Sequence, residues 1–234
     1  MDAGRLLNQF LGGAGGGGND MLGAAQRGAG AIDTKSAIGG LAAGGLLGAL
    51  LSGKKTRKMA GGVARYGAAA ALGALAFKAY QNYRSGQAPE AAPAATPAEL
   101  ETPAPKAFQP EATPAADGQP FQLVLIQAMI GAAKADGHVD SEEQARLFEQ
   151  VEAMGLDAEG KAFVFDALRE DADMAALASA ARTEEQAAEI YLVSRLAIDP
   201  DHPAERAYLE ALAHRMNLPA DLVAHLDKQV DAAG

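Results

Sequence analysis

Two Asp-rich turns hold the residue types best suited to chemistry. The first contains Asp136, followed by a glycine, and then Asp140 and Glu143. This order reproduces the second half of a calcium-binding EF-hand loop, including its turn glycine and closing glutamate. The first half is missing, because Ala132 and Lys134 stand where that loop has its first two oxygen ligands. A self-sufficient EF-hand is therefore excluded.

The second turn adds Asp199 and Glu205, and a shift of the chain by 62 residues aligns it with the first. The same shift aligns Leu147 with Leu209 and indicates an internal duplication, although two amphipathic helices can share such matches by chance. If the two halves pack face to face, five carboxylates meet around one divalent cation such as Ca²⁺ or Mg²⁺. The candidate metal ligands are Asp136, Asp140, Glu143, Asp199 and Glu205.

The same turns have a purely structural interpretation. Asp140 with Glu143 fits a capping box, and acidic groups at helix N-termini are favoured by the helix dipole without any metal. His138 and His202 lie in the turns, where solvated histidines are the commoner case. Neither interpretation includes a catalytic group, because no serine has a placed base and the glycine run is not a phosphate loop. We expect no enzyme.

Helical periodicity places these turns in an all-α domain over residues 121–234 with about seven helices. Helices are predicted from Phe121, over residues 142–154, after Asp157 and over residues 171–181, and further helices follow the capping residue Thr183 and the prolines at 203 and 219. This domain has 9 basic and 22 acidic groups, a net charge of −13. The overall net charge of −10 argues against a general nucleic-acid binder, with residues 1–86 (10 basic and 3 acidic groups) as the exception, and the lack of cysteine excludes disulfides and thiolate metal sites.

Residues 86–120 are predicted to be a disordered Ala/Pro-rich linker. The stretch from 87 to 120 holds 8 of the 11 prolines, which remove hydrogen-bond donors and favour an extended polyproline II spacer. We expect this segment to separate its neighbours rather than to pack.

Residues 1–35 are predicted to be a disordered Gly-rich N-terminus, and residues 36–85 a segment that contacts the lipid bilayer. The uncharged run over residues 36–53 is barely long enough to span a bilayer, and basic residues follow it. A hairpin with the apolar stretch over residues 66–77 and a surface-lying segment are the alternatives. Gly40, Gly44 and Gly48 have the spacing that permits self-association in lipid.

The first turn, with residues 132–143 and the Met154-Gly155-Leu156 sequence, resembles TerB-like domains, the helical fold named for tellurite-resistance proteins. The second turn, over residues 197–209, is similar as well. Together with the N-terminal half, the chain resembles the YebE-like family of bacterial inner-membrane proteins of unknown function. The resemblance implies an all-helical, metal-binding or metal-sensing module at the bacterial inner membrane and no catalytic activity.

Two functions from different classes remain open. The first is a membrane-anchored, non-enzymatic module that binds or senses a divalent cation through the two turns, in envelope, metal or oxyanion stress. The alternative is a metal-independent adapter that presents its acidic surface to an unknown basic protein partner. With a single span, the positive-inside rule places the C-terminal domain in the cytoplasm, whereas a hairpin places it outside.

Overall fold

The computed structural model describes residues 2–10, 68–135, 158–170, 173–198, 200 and 202–233, and all regular structure within these ranges is helical. The α-helices are α1 (Ala3–Phe10), α2 (Ala68–Arg84), α3 (Pro97–Glu101), α4 (Phe121–Ala133), α5 (Ala158–Arg169), α6 (Met174–Ala180), α7 (Glu184–Ala197), α8 (Pro203–Arg215) and α9 (Ala220–Ala233). Two single 3₁₀ turns lie at Pro89–Ala91 and Lys106–Phe108. The predicted all-α class is confirmed, and the helix predicted over residues 142–154 lies outside the described residues.

Helix α7 is the centre of the bundle. It packs against α2, α4, α8 and α9, and every residue from Gln186 to Ser194 is buried. An ordinary surface helix buries one stripe only, so burial on all sides means that the other helices surround α7. The polar side chains that it carries must therefore find partners within the protein.

Short-range capping signals fix several helix starts. The Thr183 hydroxyl accepts a hydrogen bond from the Gln186 backbone N–H, as the capping pattern predicts. The Gln186 side chain, however, accepts from the Arg182 backbone N–H, one residue before the cap. Helix α6 begins three residues later than predicted, because Asp173 caps it by accepting from the backbone N–H groups of Ala175 and Ala176.

Helix α2 forms part of the bundle core, whereas the sequence suggested that this region belongs to a segment in contact with lipid. Its side chains Leu72, Leu75 and Ala76 are at most 2% exposed and belong to the same core as α7 and α9. Lys78 of the same helix pairs with Glu99 at 2.7 Å and Tyr80 packs on Phe108, so both side chains have partners within the protein. A Gly/Ala/Leu pattern suits close packing against protein as well as against lipid.

None of the described helices combines the length and the apolar character needed to cross a membrane. The predicted span over residues 36–53, with Gly40, Gly44 and Gly48, lies outside the described residues. So do the basic residues between that run and α2.

Residues 87–120, which we call the strap, pack against the bundle, so the prediction of a disordered spacer is wrong. Ala92, Phe108 and Ala115 of the strap are at most 3% exposed. The local prediction of polyproline II geometry is confirmed at several positions, for example at Ala88 (φ −67°, ψ 137°) and Thr96 (φ −81°, ψ 157°). The prolines favour an extended backbone in the strap. Whether that extended segment packs against the bundle depends on side chains of the helices, which lie elsewhere in the chain.

Candidate functional site

A cleft of about 480 Å³ opens where the end of the strap meets α4, α5 and α6. We call it the acid-lined cleft. Its walls are Asp117, Gln119, Gln127, Gly131, Lys134, Ala167, Glu170, Asp173, Ala176, Leu177, Ser179 and Ala180. Small and apolar side chains from the three helices lie alongside carboxylates, a combination typical of sites that bind a side chain with an apolar stem and a polar head.

Three carboxylates give the cleft its charge. Asp117 accepts hydrogen bonds from the backbone and side-chain amides of Gln119, which hold its carboxylate in place. Asp173 is held in the same way as the cap of α6, and Glu170 follows the end of α5. Within the described ranges none of the three forms an ion pair with a basic side chain, so their charge is available to a ligand.

Lys134 is the one basic side chain among the described residues that line the cleft. Its ammonium group donates to the backbone oxygens of Leu168 and Glu170, at the C-terminal end of α5. Those oxygens have no partner within the helix, so the lysine caps α5. With three carboxylates and one lysine among its described lining residues, the acid-lined cleft carries a net negative charge, which favours a cationic ligand.

Of the five predicted metal ligands, only Glu205 belongs to the described residues. It lies in the first turn of α8, just after the N-cap His202, whose Nδ1 accepts from the Ala204 backbone N–H at 3.3 Å. Arg206 donates to the Pro200 backbone oxygen at 2.7 Å across the same turn. Asp136, Asp140, Glu143 and Asp199 lie outside the described residues. In the part of the chain that is described, no three His, Asp or Glu side chains are arranged to hold a metal ion.

Glu189 of α7 is a second unusual group, and sequence reasoning did not single it out. It is 1% exposed, and its Oε1 atom has no hydrogen-bond partner within the described residues. Burial raises the pKa of this carboxyl well above its usual range, and the nearby charges of Glu111 and Glu185 raise it further. The protonated form of Glu189 is therefore favoured in the folded protein relative to the unfolded chain.

A network of hydrogen bonds and ion pairs links α7 to α9. The Tyr191 hydroxyl donates to Asp227 at 3.0 Å, and Arg195 binds Asp231 at 2.8 Å while its Nε lies 3.5 Å from Asp227. Burial raises the pKa of Asp227, whereas the hydrogen bond from Tyr191 and the charge of Arg195 oppose that rise. This network joins two helices and lies away from the cleft walls, so it stabilises the fold.

A family model described as "Protein of unknown function (DUF533)" matches residues 36–230. The chain belongs to the DUF533 family. The DUF533 match runs through the strap and includes every described wall of the acid-lined cleft. It also begins where the predicted span begins, at residue 36.

A curated relative of this DUF533 protein is similar over part of the chain. It is an "Uncharacterized protein in ampR 5'region" of Yersinia enterocolitica, 35% identical over 98 residues, which cover 42% of this chain and 70% of the relative. No solved structure matches the chain.

Proposed function

We propose that this protein is a non-enzymatic, membrane-anchored adapter whose acid-lined cleft binds a basic segment of a partner protein. The observation that carries the proposal is the set of three carboxylates around an apolar floor, beside a lysine that is engaged by the end of α5. A lysine or arginine of the partner packs its aliphatic stem on Leu177 and Ala180 and places its charge among the carboxylates. The net charge of −13 on residues 121–234 attracts such a partner over a longer range.

A double variant that removes two of the carboxylates tests whether the cleft binds a basic peptide. The variant Asp117→Asn with Asp173→Asn keeps a side-chain oxygen at both positions, and asparagine caps helices as well as aspartate does. We expect it to bind a labelled Ala/Lys/Arg peptide about tenfold more weakly, which corresponds to a loss of about 1.4 kcal/mol. Fluorescence anisotropy at low and high salt measures this loss, and the difference between the proteins should shrink at high salt.

The matched control is Glu210→Gln with Asp221→Asn, which removes the same charge from exposed positions on α8 and α9. The control should bind nearly as well as the unmodified chain. Equal weakening of both double variants would contradict the proposal, because it would show attraction by net charge without a cleft.

The membrane anchor is the second part of the proposal and rests on residues 36–53. Full-length protein should remain in bacterial inner membranes after a carbonate wash, and deletion of residues 36–53 should release it. Release of the unmodified protein by carbonate would contradict the anchor while leaving the cleft untouched.

Cation binding by Asp136, Asp140, Glu143, Asp199 and Glu205 is the second candidate function. Two features favour it: Glu205 of the second acidic turn lies in the first turn of α8, and the chain resembles TerB-like domains. A cation at about 100 times its dissociation constant should stabilise the protein by about 2.7 kcal/mol. Thermal melts with Ca²⁺ or Mg²⁺ after chelation would detect that shift, and Asp136→Asn with Asp199→Asn should abolish it.

A further inference from the structure

The strap is held mainly by side chains of the bundle that bind its backbone. Gln229 of α9 donates to the Pro93 oxygen at 3.1 Å and accepts from the Ala95 N–H at 2.8 Å. His225, one turn earlier, lies 3.0 Å from the Gln87 oxygen through Nε2. Both side chains are 1% exposed. The bundle therefore keeps buried polar groups whose partners are the backbone of an extended peptide.

The same mode of contact continues along α2 and α7. Asn82, 3% exposed, also donates to the Pro93 oxygen, at 3.0 Å. Gln186, also 3% exposed, donates to the oxygens of Thr113 and Pro114. Contacts to backbone atoms give affinity without requiring a particular sequence, as in other modes of peptide recognition.

One aromatic side chain anchors the strap. Phe108, 3% exposed, packs its ring 5.5 Å from Phe77 and 5.4 Å from Tyr80, measured between centroids. Beside it the strap backbone touches α2 at Gly73, where an added Cβ would lie 2.1 Å from the Phe108 oxygen. A hot spot of this kind, an aromatic ring in a socket with close backbone contact, is what concentrates binding energy in an interface.

We propose that the strap is an internal ligand. The groove that it fills, formed by α2, α7 and α9, is a binding site for extended, alanine- and proline-rich peptides that carry an aromatic side chain. The strap itself supports this choice of partner: its backbone has polyproline II geometry between its short helical turns, as at Ala88 and Thr96, its buried alanines fit small sockets, and the groove contacts its backbone. A peptide from another protein competes with the strap, whose tether gives it a high effective concentration.

The test uses the full chain with sites for a specific protease inserted at Gly86 and Gly118. Both glycines are exposed and have a positive φ (70° at Gly86 and 90° at Gly118), so each site is inserted after the glycine, which is kept. After cleavage, the excised strap should stay bound through gel filtration and exchange with a labelled synthetic peptide of residues 87–117. A peptide with Phe108→Ala should compete at least about tenfold more weakly, since it lacks the buried ring.

Two controls distinguish specific recognition of the peptide from nonspecific hydrophobic binding. A scrambled peptide of the same composition should compete no better than the Phe108→Ala peptide. A cleaved chain with Gly73→Ala should lose the labelled peptide, whereas Gly4→Ala, where an added Cβ meets its neighbours at 3.6 Å or more, should keep it. Circular dichroism before cleavage checks that each variant is helical.

Three results would overturn the proposal. The first is aggregation of the cleaved chain with no rescue by added peptide, which would make the strap an inseparable part of the fold. The second is a bound strap that never exchanges with labelled peptide over days. The third is equal competition by the native and Phe108→Ala peptides, which would show that the socket contributes no selectivity.

Discussion

The strap groove and the acid-lined cleft meet at the end of the strap, yet they present opposite chemistry. The groove uses neutral polar side chains, such as Gln229 and Gln186, which bond to backbone atoms and are completely buried in doing so. The cleft uses carboxylates, such as Asp117, that stay exposed. Buried polar groups without partners are costly, whereas exposed charges cost little. The groove must therefore be filled for the fold to be stable, whereas the cleft tolerates being empty.

The largest effect should come from the aromatic anchor of the strap. Phe108→Ala removes a buried ring and should lower the free energy of unfolding by about 3–5 kcal/mol. Urea titration followed by circular dichroism measures the loss. Phe163→Ala, at a partly buried position on α5, is the matched control and should cost less. If Phe108→Ala lowers the free energy of unfolding no more than Phe163→Ala does, the groove need not be filled for the fold to be stable. The strap would then contribute no more than an ordinary surface contact.

A smaller loss is expected where α9 binds the strap backbone. Gln229→Ala leaves the Ala95 N–H without its acceptor and should cost about 1–3 kcal/mol. Faster amide hydrogen exchange at Ala95, together with the melting temperature, checks this. Gln81→Ala, at an exposed position of α2, should change stability by less than about 0.5 kcal/mol. An unchanged exchange rate at Ala95 in Gln229→Ala would show that this hydrogen bond does not hold the strap.

The smallest expected change in stability is at Glu189, where a substitution should stabilise the protein rather than destabilise it. Glu189 is buried with an unpaired oxygen, so Glu189→Leu should stabilise the protein by about 1 kcal/mol at pH 8. The folded pKa is raised, so above the unfolded value of about 4.3 the folded chain binds more protons than the unfolded chain. The stability contributed by this residue therefore falls as pH rises through the folded pKa, and the advantage of Glu189→Leu should grow from pH 5 to pH 8.

Urea midpoints at the two pH values measure that difference. Glu189→Gln is the matched control, since it cannot ionise and should show the same pH profile as Glu189→Leu. The remaining charges near this position, Glu111 and Glu185, are present in all three proteins and cancel in the comparison. Parallel pH profiles for the unmodified chain and Glu189→Leu would mean that Glu189 keeps an ordinary pKa.

Local signals in the sequence predicted the described helices of residues 121–234 well, but they missed α1 and α3, which lie in segments predicted to be disordered, and they indicated packing partners poorly. Thr183 and Pro203 mark the starts of α7 and α8, because capping and proline chemistry act within a few residues. The apolar pattern of α2 gave no indication that this helix packs against α9, which lies far along the chain at Ala220–Ala233. Helical propensity is local, whereas packing partners depend on the whole chain.

The two proposed binding surfaces could not be predicted from the sequence, because they too depend on which distant segments pack together. The acid-lined cleft gathers residues from the strap, α4, α5 and α6, so no single motif announces it. The sequence contains one weak signal of the groove. His225 and Gln229 lie one turn apart on α9, on the same stripe as buried apolar residues. These apolar residues are Leu222, Leu226 and Val230. Polar residues on a buried stripe need partners, and that requirement is visible in the sequence even when the partner is not.

The contact between α2 and α9 also sets an order of events during protein synthesis. His225 and Gln229 bind backbone groups that leave the ribosome more than 130 residues before them. The apolar face of α2 and the strap therefore stay uncovered until α9 has been synthesised. A nascent chain in that state is a substrate for holding chaperones, and truncation before residue 225 leaves it permanently so.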